Sequence, residues 1–178
     1  MSRPAAQSLD ALAFYGCTAL STVSLPAATA IGNGAFGYCS SLVTVSLPAA
    51  ATANEYAFGF CTSLATVSLP AVTAIGPRAF WNCTALETVS LPAVTAIGDN
   101  VFLGTGTGTL TVTLPKAAPQ VAATGNGAGL SFTKTVTVKA PADRTGYDTT
   151  WQDNFKKAFG VSHDSFTVTI TLTITNTP

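Results

Sequence analysis

From Leu9 to Pro115 the apolar and polar positions recur with a period of 22 residues. Four copies start at Leu20, Leu42, Leu64 and Leu86: LSTVSLPAATAIGNGAFGYCSS, LVTVSLPAAATANEYAFGFCTS, LATVSLPAVTAIGPRAFWNCTA and LETVSLPAVTAIGDNVFLGTGT. Residues 9–19 form the second half of an earlier copy, and 109–115 the first half of a later one. A unit this short cannot bury its apolar residues without a neighbour, so the period predicts a solenoid.

Within a copy, Thr-Val-Ser-Leu alternates polar and apolar, which predicts a short strand with Val23 and Leu25 inward and Thr22 and Ser24 outward. Proline follows each time, at Pro26, Pro48, Pro70, Pro92 and Pro115, and closes the strand because it cannot donate to a ladder. Thr-Ala-Ile-Gly then supplies one inward side chain, Ile31, Ile75 or Ile97, on a second extended segment across the coil. Ala-Phe-x-x-Cys has its apolar groups at helical spacing and predicts one tight turn. Stacked copies turn Phe14, Phe36, Phe58, Phe80 and Phe102 into a core ladder, with Cys17, Cys39, Cys61 and Cys83 as a second row.

The unit, approximately I-G-x-x-A-F-x-x-C-x-x-L-x-x-V-x-L-P, resembles the BspA-like leucine-rich repeats of bacterial surface proteins. The match runs from Leu9 to Pro115, and the second copy departs from it with Ala53-Asn54 where the others carry Ile-Gly. The resemblance implies a right-handed leucine-rich-repeat coil with a parallel β-sheet, exposed on a cell surface or secreted. It also implies adhesion, with a host or microbial surface protein or glycan as partner.

The repeat phase fails after Pro115, which divides the chain into a solenoid over 1–115, an irregular last coil and linker over 116–129, and a further module over 130–178. Residues 130–139 and 165–175 alternate like strands, while Trp151, Phe155 and Phe159 recur at helical spacing before Gly160. A small α+β cap of β-α-β order would cover the open end of the last coil. The stretch from Ala140 to Phe155 also resembles carboxy-terminal modules found after such repeats in some bacterial surface proteins. No comparable stretch precedes Leu9, so the expectation is either a piece of a longer repeat protein or self-association through an uncapped N-terminal coil. The near-identity of the copies also permits a consensus design.

Composition narrows the function by exclusion. Eight Lys and Arg balance eight Asp and Glu, with no basic cluster to displace counterions from a nucleic acid. Although 47% of residues are hydrophobic, Ser, Thr, Gly or Pro breaks every run before the ~18 residues that a spanning helix needs, which excludes membrane insertion by a helix.

Four cysteines could pair, but equivalent places on successive coils lie about 4.8 Å apart with parallel Cβ directions, which disfavours the disulfide torsion. They read as buried free thiols, and a row cannot surround a metal tetrahedrally. His163, Asp164 and Ser165 are consecutive and cannot face one another as a catalytic triad. Asp143, Asp148 and Asp153 lack a calcium-loop pattern, and Asp148 or Thr149 can cap the helix. The reading is therefore no enzyme, no cofactor and no metal.

Two surface features remain. Outward Thr22/Ser24, Thr44/Ser46, Thr66/Ser68, Thr88/Ser90 and Thr111/Thr113 form a hydroxyl array that raises ice binding, although Thr suits strands on its own account. Four positions flanking Ala-Phe vary between copies and gather aromatic groups, which are enriched at binding hot spots. The candidate binding residues are Tyr15, Tyr38, Tyr56, Phe60, Arg78, Trp81 and Asn82, and a structural spacer with no partner is the alternative. Because Thr is accounted for by strand preference, the purified protein is expected to show no thermal hysteresis; arrested ice growth would move the site to the sheet.

Overall fold

The computed structural model describes residues 7–106, 108–115, 117–122, 134–141, 145–157 and 168–175. Among these, short strands numbered in chain order form two parallel sheets. One contains β1 (Gln7–Leu9), β3 (Ala28–Ile31), β5 (Thr52–Ala53), β7 (Ala74–Ile75), β9 (Ala96–Ile97) and β11 (Gln120–Val121). The other contains β2 (Thr22–Ser24), β4 (Thr44–Ser46), β6 (Thr66–Ser68), β8 (Thr88–Ser90), β10 (Gly108–Thr113), β12 (Lys134–Pro141) and β13 (Val168–Thr175), again in chain order across the sheet.

Both sheets follow from the sequence repeat. From β2 to β8 equivalent residues pair in phase with it, as in Thr44↔Thr66, Val45↔Val67 and Ser46↔Ser68, and β8 to β10 is one residue longer, Val89↔Val112. Val23, Val45, Val67, Val89 and Val112 face inward, while the Thr and Ser beside them face outward. The second extended segment expected around Ile31, Ile75 and Ile97 forms a complete sheet of its own. In a parallel pair each coil's free edge is the template for the next, so the fold extends by translation.

Between the sheets runs the aromatic ladder. Phe14, Phe36, Phe58, Phe80 and Phe102 stack with centroids 5.2–5.8 Å apart and planes within 7° of parallel. Cys39, Cys61 and Cys83 are buried free thiols beside it, each donating a hydrogen bond to the carbonyl of the phenylalanine one coil earlier, at 3.0–3.1 Å. Thr105 takes the next place and donates to Phe102 O at 2.9 Å. Cys17 differs from the expected buried row: it is exposed, and Phe14 is only half-buried. The reason is positional, since no described coil lies on the outer side of theirs.

At the other end, β12 pairs with β10 and β13 with β12, so both strands extend the solenoid's own sheet. Helix α1 (Thr149–Lys157) starts at Asp148, whose Oδ1 accepts from Trp151 N at 2.8 Å, an N-cap. Its apolar face ends the ladder: Phe155 meets Phe102 edge-on at 6.3 Å, and Trp151 Nε1 donates to Pro119 O at 2.8 Å. Tyr147 hydroxyl donates to Pro115 O at 2.7 Å, anchoring the helix to the last coil. Asp143, Phe159, Gly160, His163, Asp164 and Ser165 lie outside the described residues.

Two predictions follow from the core. Phe58 is fully buried in mid-ladder, so Phe58→Ala is expected to lower unfolding free energy in urea by about 3–5 kcal/mol, and a loss below ~1 kcal/mol would remove the ladder from the core. For the thiols, a chromogenic reagent near neutral pH is expected to find one in the native protein, Cys17, and four after unfolding. Burial pushes Cys61 up from 9.0 to about 12, and Cys39 and Cys83 move the same way. The unfolded chain therefore releases these protons first, so their stabilising contribution is intact below pH 9.0 and is lost as pH rises toward about 12. Cys61→Ala should flatten that alkaline loss in denaturant titrations.

Candidate binding groove

The turn that carries Ala-Phe-x-x-Cys forms a third side of each coil. Its N–H groups alternate in direction: those of Gly34, Phe36 and Tyr38 reach Glu55, Ala57 and Gly59 carbonyls on the next coil at 2.8–2.9 Å. Those of Ala35, Gly37 and Cys39 instead close tight turns onto Gly32, Gly34 and Phe36 at 2.8–3.2 Å. The backbone becomes left-handed twice per coil, at positions 12, 34, 56, 78 and 100 and at 16, 38, 60, 82 and 104, with φ from 53° to 72°.

Left-handed backbone favours glycine, and Gly16, Gly34 and Gly104 occupy three of these places. Leu12, Tyr38, Tyr56, Phe60, Arg78, Asn82 and Asn100 hold the others, each at a cost of roughly 1–2 kcal/mol against a right-handed alternative. Five of the seven candidate binding residues therefore stand where the backbone would accept glycine more easily. Such strain persists only because the stacked coils over-determine it.

These side chains come together in one row across the coils. Tyr15 meets Tyr38 at 5.3 Å, Tyr38 stacks on Phe60 at 4.3 Å, and Phe60 meets Trp81 at 5.1 Å. The central pair is nearly parallel, whereas the end rings turn by 59° and 55° out of the stack. Tyr56 closes the far side, 5.3 Å from Trp81. Arg78 places its guanidinium carbon 5.6 Å from the Tyr56 centroid and Nη1 3.5 Å from Glu55 Oε1.

The row borders a groove of about 590 Å³. Gly34, Gly37 and Gly59 stand in its lining where most other copies carry larger groups, and neighbouring side chains lie across them. An added Cβ on Gly37 would come within 3.0 Å of the Tyr15 ring, and one on Gly59 within 3.1 Å of Tyr56. Tyr15, Tyr38, Tyr56, Phe60 and Trp81 line the groove; Arg78 stands beside Tyr56 outside the lining, and Asn82 is outside it on the next turn position. Leu12, Asn33 and Glu55 also line it. Leu12, more than half exposed, was legible in principle, since it shares its repeat position with Gly34, Tyr56 and Arg78.

On the strands β2, β4 and β6 the Thr and Ser side chains are exposed on either side of a buried valine. Among the described residues no three of His, Cys, Asp and Glu stand together as a metal site would require, and no helix is long and apolar enough to cross a membrane.

Comparison with known proteins agrees with this geometry. Residues 5–121 match the family described as BspA type leucine rich repeat region, in six copies. Among solved structures, the chain is similar to the leucine-rich repeat protein of T. pallidum, at 25% identity and a TM-score of 0.58, over 92% of this chain and 80% of that one. It also aligns with a leucine rich cell surface protein of Faecalibacterium prausnitzii A2-165, at 17% identity and a TM-score of 0.46, over 94% of this chain and 63% of that one. No curated protein matches the sequence significantly. A repeat match covering well over half of the chain, on a solenoid of stacked 22-residue coils, establishes that this protein belongs to the BspA-type leucine-rich repeat family.

Proposed function

We propose that the chain is a non-enzymatic binding or adhesion module, displayed on a cell surface or secreted, that engages a surface protein or glycan through the aromatic groove. The observation that carries this reading is the conjunction at one place of aromatic side chains, left-handed backbone and a groove with glycines in its lining. Folding alone does not account for it. The core is complete without these rings, and glycine would relieve the backbone at Tyr38, Tyr56 and Phe60. Membership of a family of bacterial surface repeats supports the surface setting.

The same logic disfavours the sheet. Its Thr and Ser residues are the ones that the repeat itself prescribes, so they hold no information that distinguishes one partner from another. The variable turn positions do.

A screen against host matrix proteins and glycans supplies the partner for the test. Trp81→Ala combined with Tyr56→Ala is expected to weaken binding by at least ~2 kcal/mol, about thirtyfold, without changing the melting temperature appreciably. Thr44→Ala with Thr66→Ala should leave affinity unaltered. The opposite pattern would place the site on the sheet, and no effect from either pair would leave the spacer reading standing.

A further inference from the structure

The lining of the groove has a distinctive chemistry. Five aromatic rings line it, and Glu55 is the only charged residue among the described lining groups. Ring faces carry negative quadrupoles and attract cations, the more strongly when solvent is excluded. The molecule already contains an example, because the Arg78 guanidinium lies over the Tyr56 ring and reaches Glu55. That ion pair is 3.5 Å long and its partners are about two-fifths exposed, so exchanging it for another costs little.

We propose that the groove is an aromatic cage for a phosphocholine head group, with the trimethylammonium between the rings and Glu55 and the phosphate on Arg78. The inference rests on the reading of the groove as a binding site and names its ligand class. Three features select the guest. A quaternary ammonium has no N–H to satisfy, which suits walls made mostly of ring carbon, whereas a primary ammonium brings three donors needing acceptors. A zwitterion matches a neighbouring carboxylate and guanidinium, with each partner exchanging an internal ion pair for an external one. Finally, the rings are tied to one another in a row, Tyr38 on Phe60 at 4.3 Å, and so present walls to a guest rather than wedges to a bilayer. The head group is therefore one presented singly.

The test titrates the whole chain with phosphocholine, with 3,3-dimethylbutyl phosphate as a guest of the same shape lacking the positive charge, and with phosphoethanolamine. The indole N–H resonance of Trp81 is the readout. Phosphocholine is expected to shift it saturably, with each analogue at least tenfold weaker. Glu55→Gln should weaken phosphocholine about tenfold without weakening the analogue that lacks the ammonium. Gly59→Leu puts a side chain where the Tyr56 ring lies, 3.1 Å from the added Cβ, so it is expected to displace that wall and abolish the shift. Equal binding of the analogue lacking the ammonium, survival of binding in Gly59→Leu, or no saturable shift would each overturn the cage. Sedimentation with dioleoylphosphatidylcholine vesicles would overturn the singly presented head group. If phosphocholine fails while Trp81→Ala with Tyr56→Ala still abolishes binding of a screened partner, the groove remains the binding site and only its ligand class is refuted.

Discussion

Identical side chains stacked along one axis impose the constraint from which the rest of this molecule follows. Hydrogen-bonded strands stand ~4.8 Å apart, so every coil must present the same cross-section to the next at that interval. The phenylalanine ladder satisfies it with centroids at 5.2–5.8 Å and nearly parallel planes, and the excess over the strand spacing makes successive rings offset, the arrangement aromatic pairs prefer. A residue that broke the match would affect both neighbours. This explains why the core positions barely vary and why Thr105 replaces cysteine only where the ladder is about to end on Phe155.

The sequence made the coil legible because its inward positions recur every 22 residues through four copies. Val, Leu-Pro, Ile and Phe each fix one corner of the cross-section, and the strands, their register and the buried thiols follow. What the pattern hid was backbone hand. Helical spacing in Ala-Phe-x-x-Cys points to an ordinary tight turn, yet the turn reverses hand at two places in each coil. Tyr, Phe and Arg at those places conceal the conformation that a row of glycines would have announced. The exposed Cys17 was hidden for a different reason: periodicity treats all copies alike, while burial depends on having a neighbour on both sides.

The carboxy-terminal strands show a similar limit. Their alternation marks them as strands, but alternation carries no information about which sheet they join. The partner is set by the free edge of β10, which offers unpaired main-chain groups in the register that β12 takes up. Helix α1 can then lie across the end of the ladder, where Phe155, Trp151 and Tyr147 form an aromatic cluster that replaces the missing next coil.

Strained turn positions and a repeating core together explain where specificity can reside in such a protein. A change in the core propagates to two neighbours, so that region is closed to variation. The sheet surface is exposed, but equivalent Thr and Ser residues stand beside one another along it in register. The turn edge alone combines freedom to vary with a geometry that aims side chains outward from successive coils. Glycine at one coil lets the ring of its neighbour lie across it, as Gly37 does for Tyr15, and the row of rings so formed borders a groove. The shape of the groove is thus written as a difference between copies. Its energetic cost, left-handed backbone under bulky residues, is borne by the regularity of the coils that carry it.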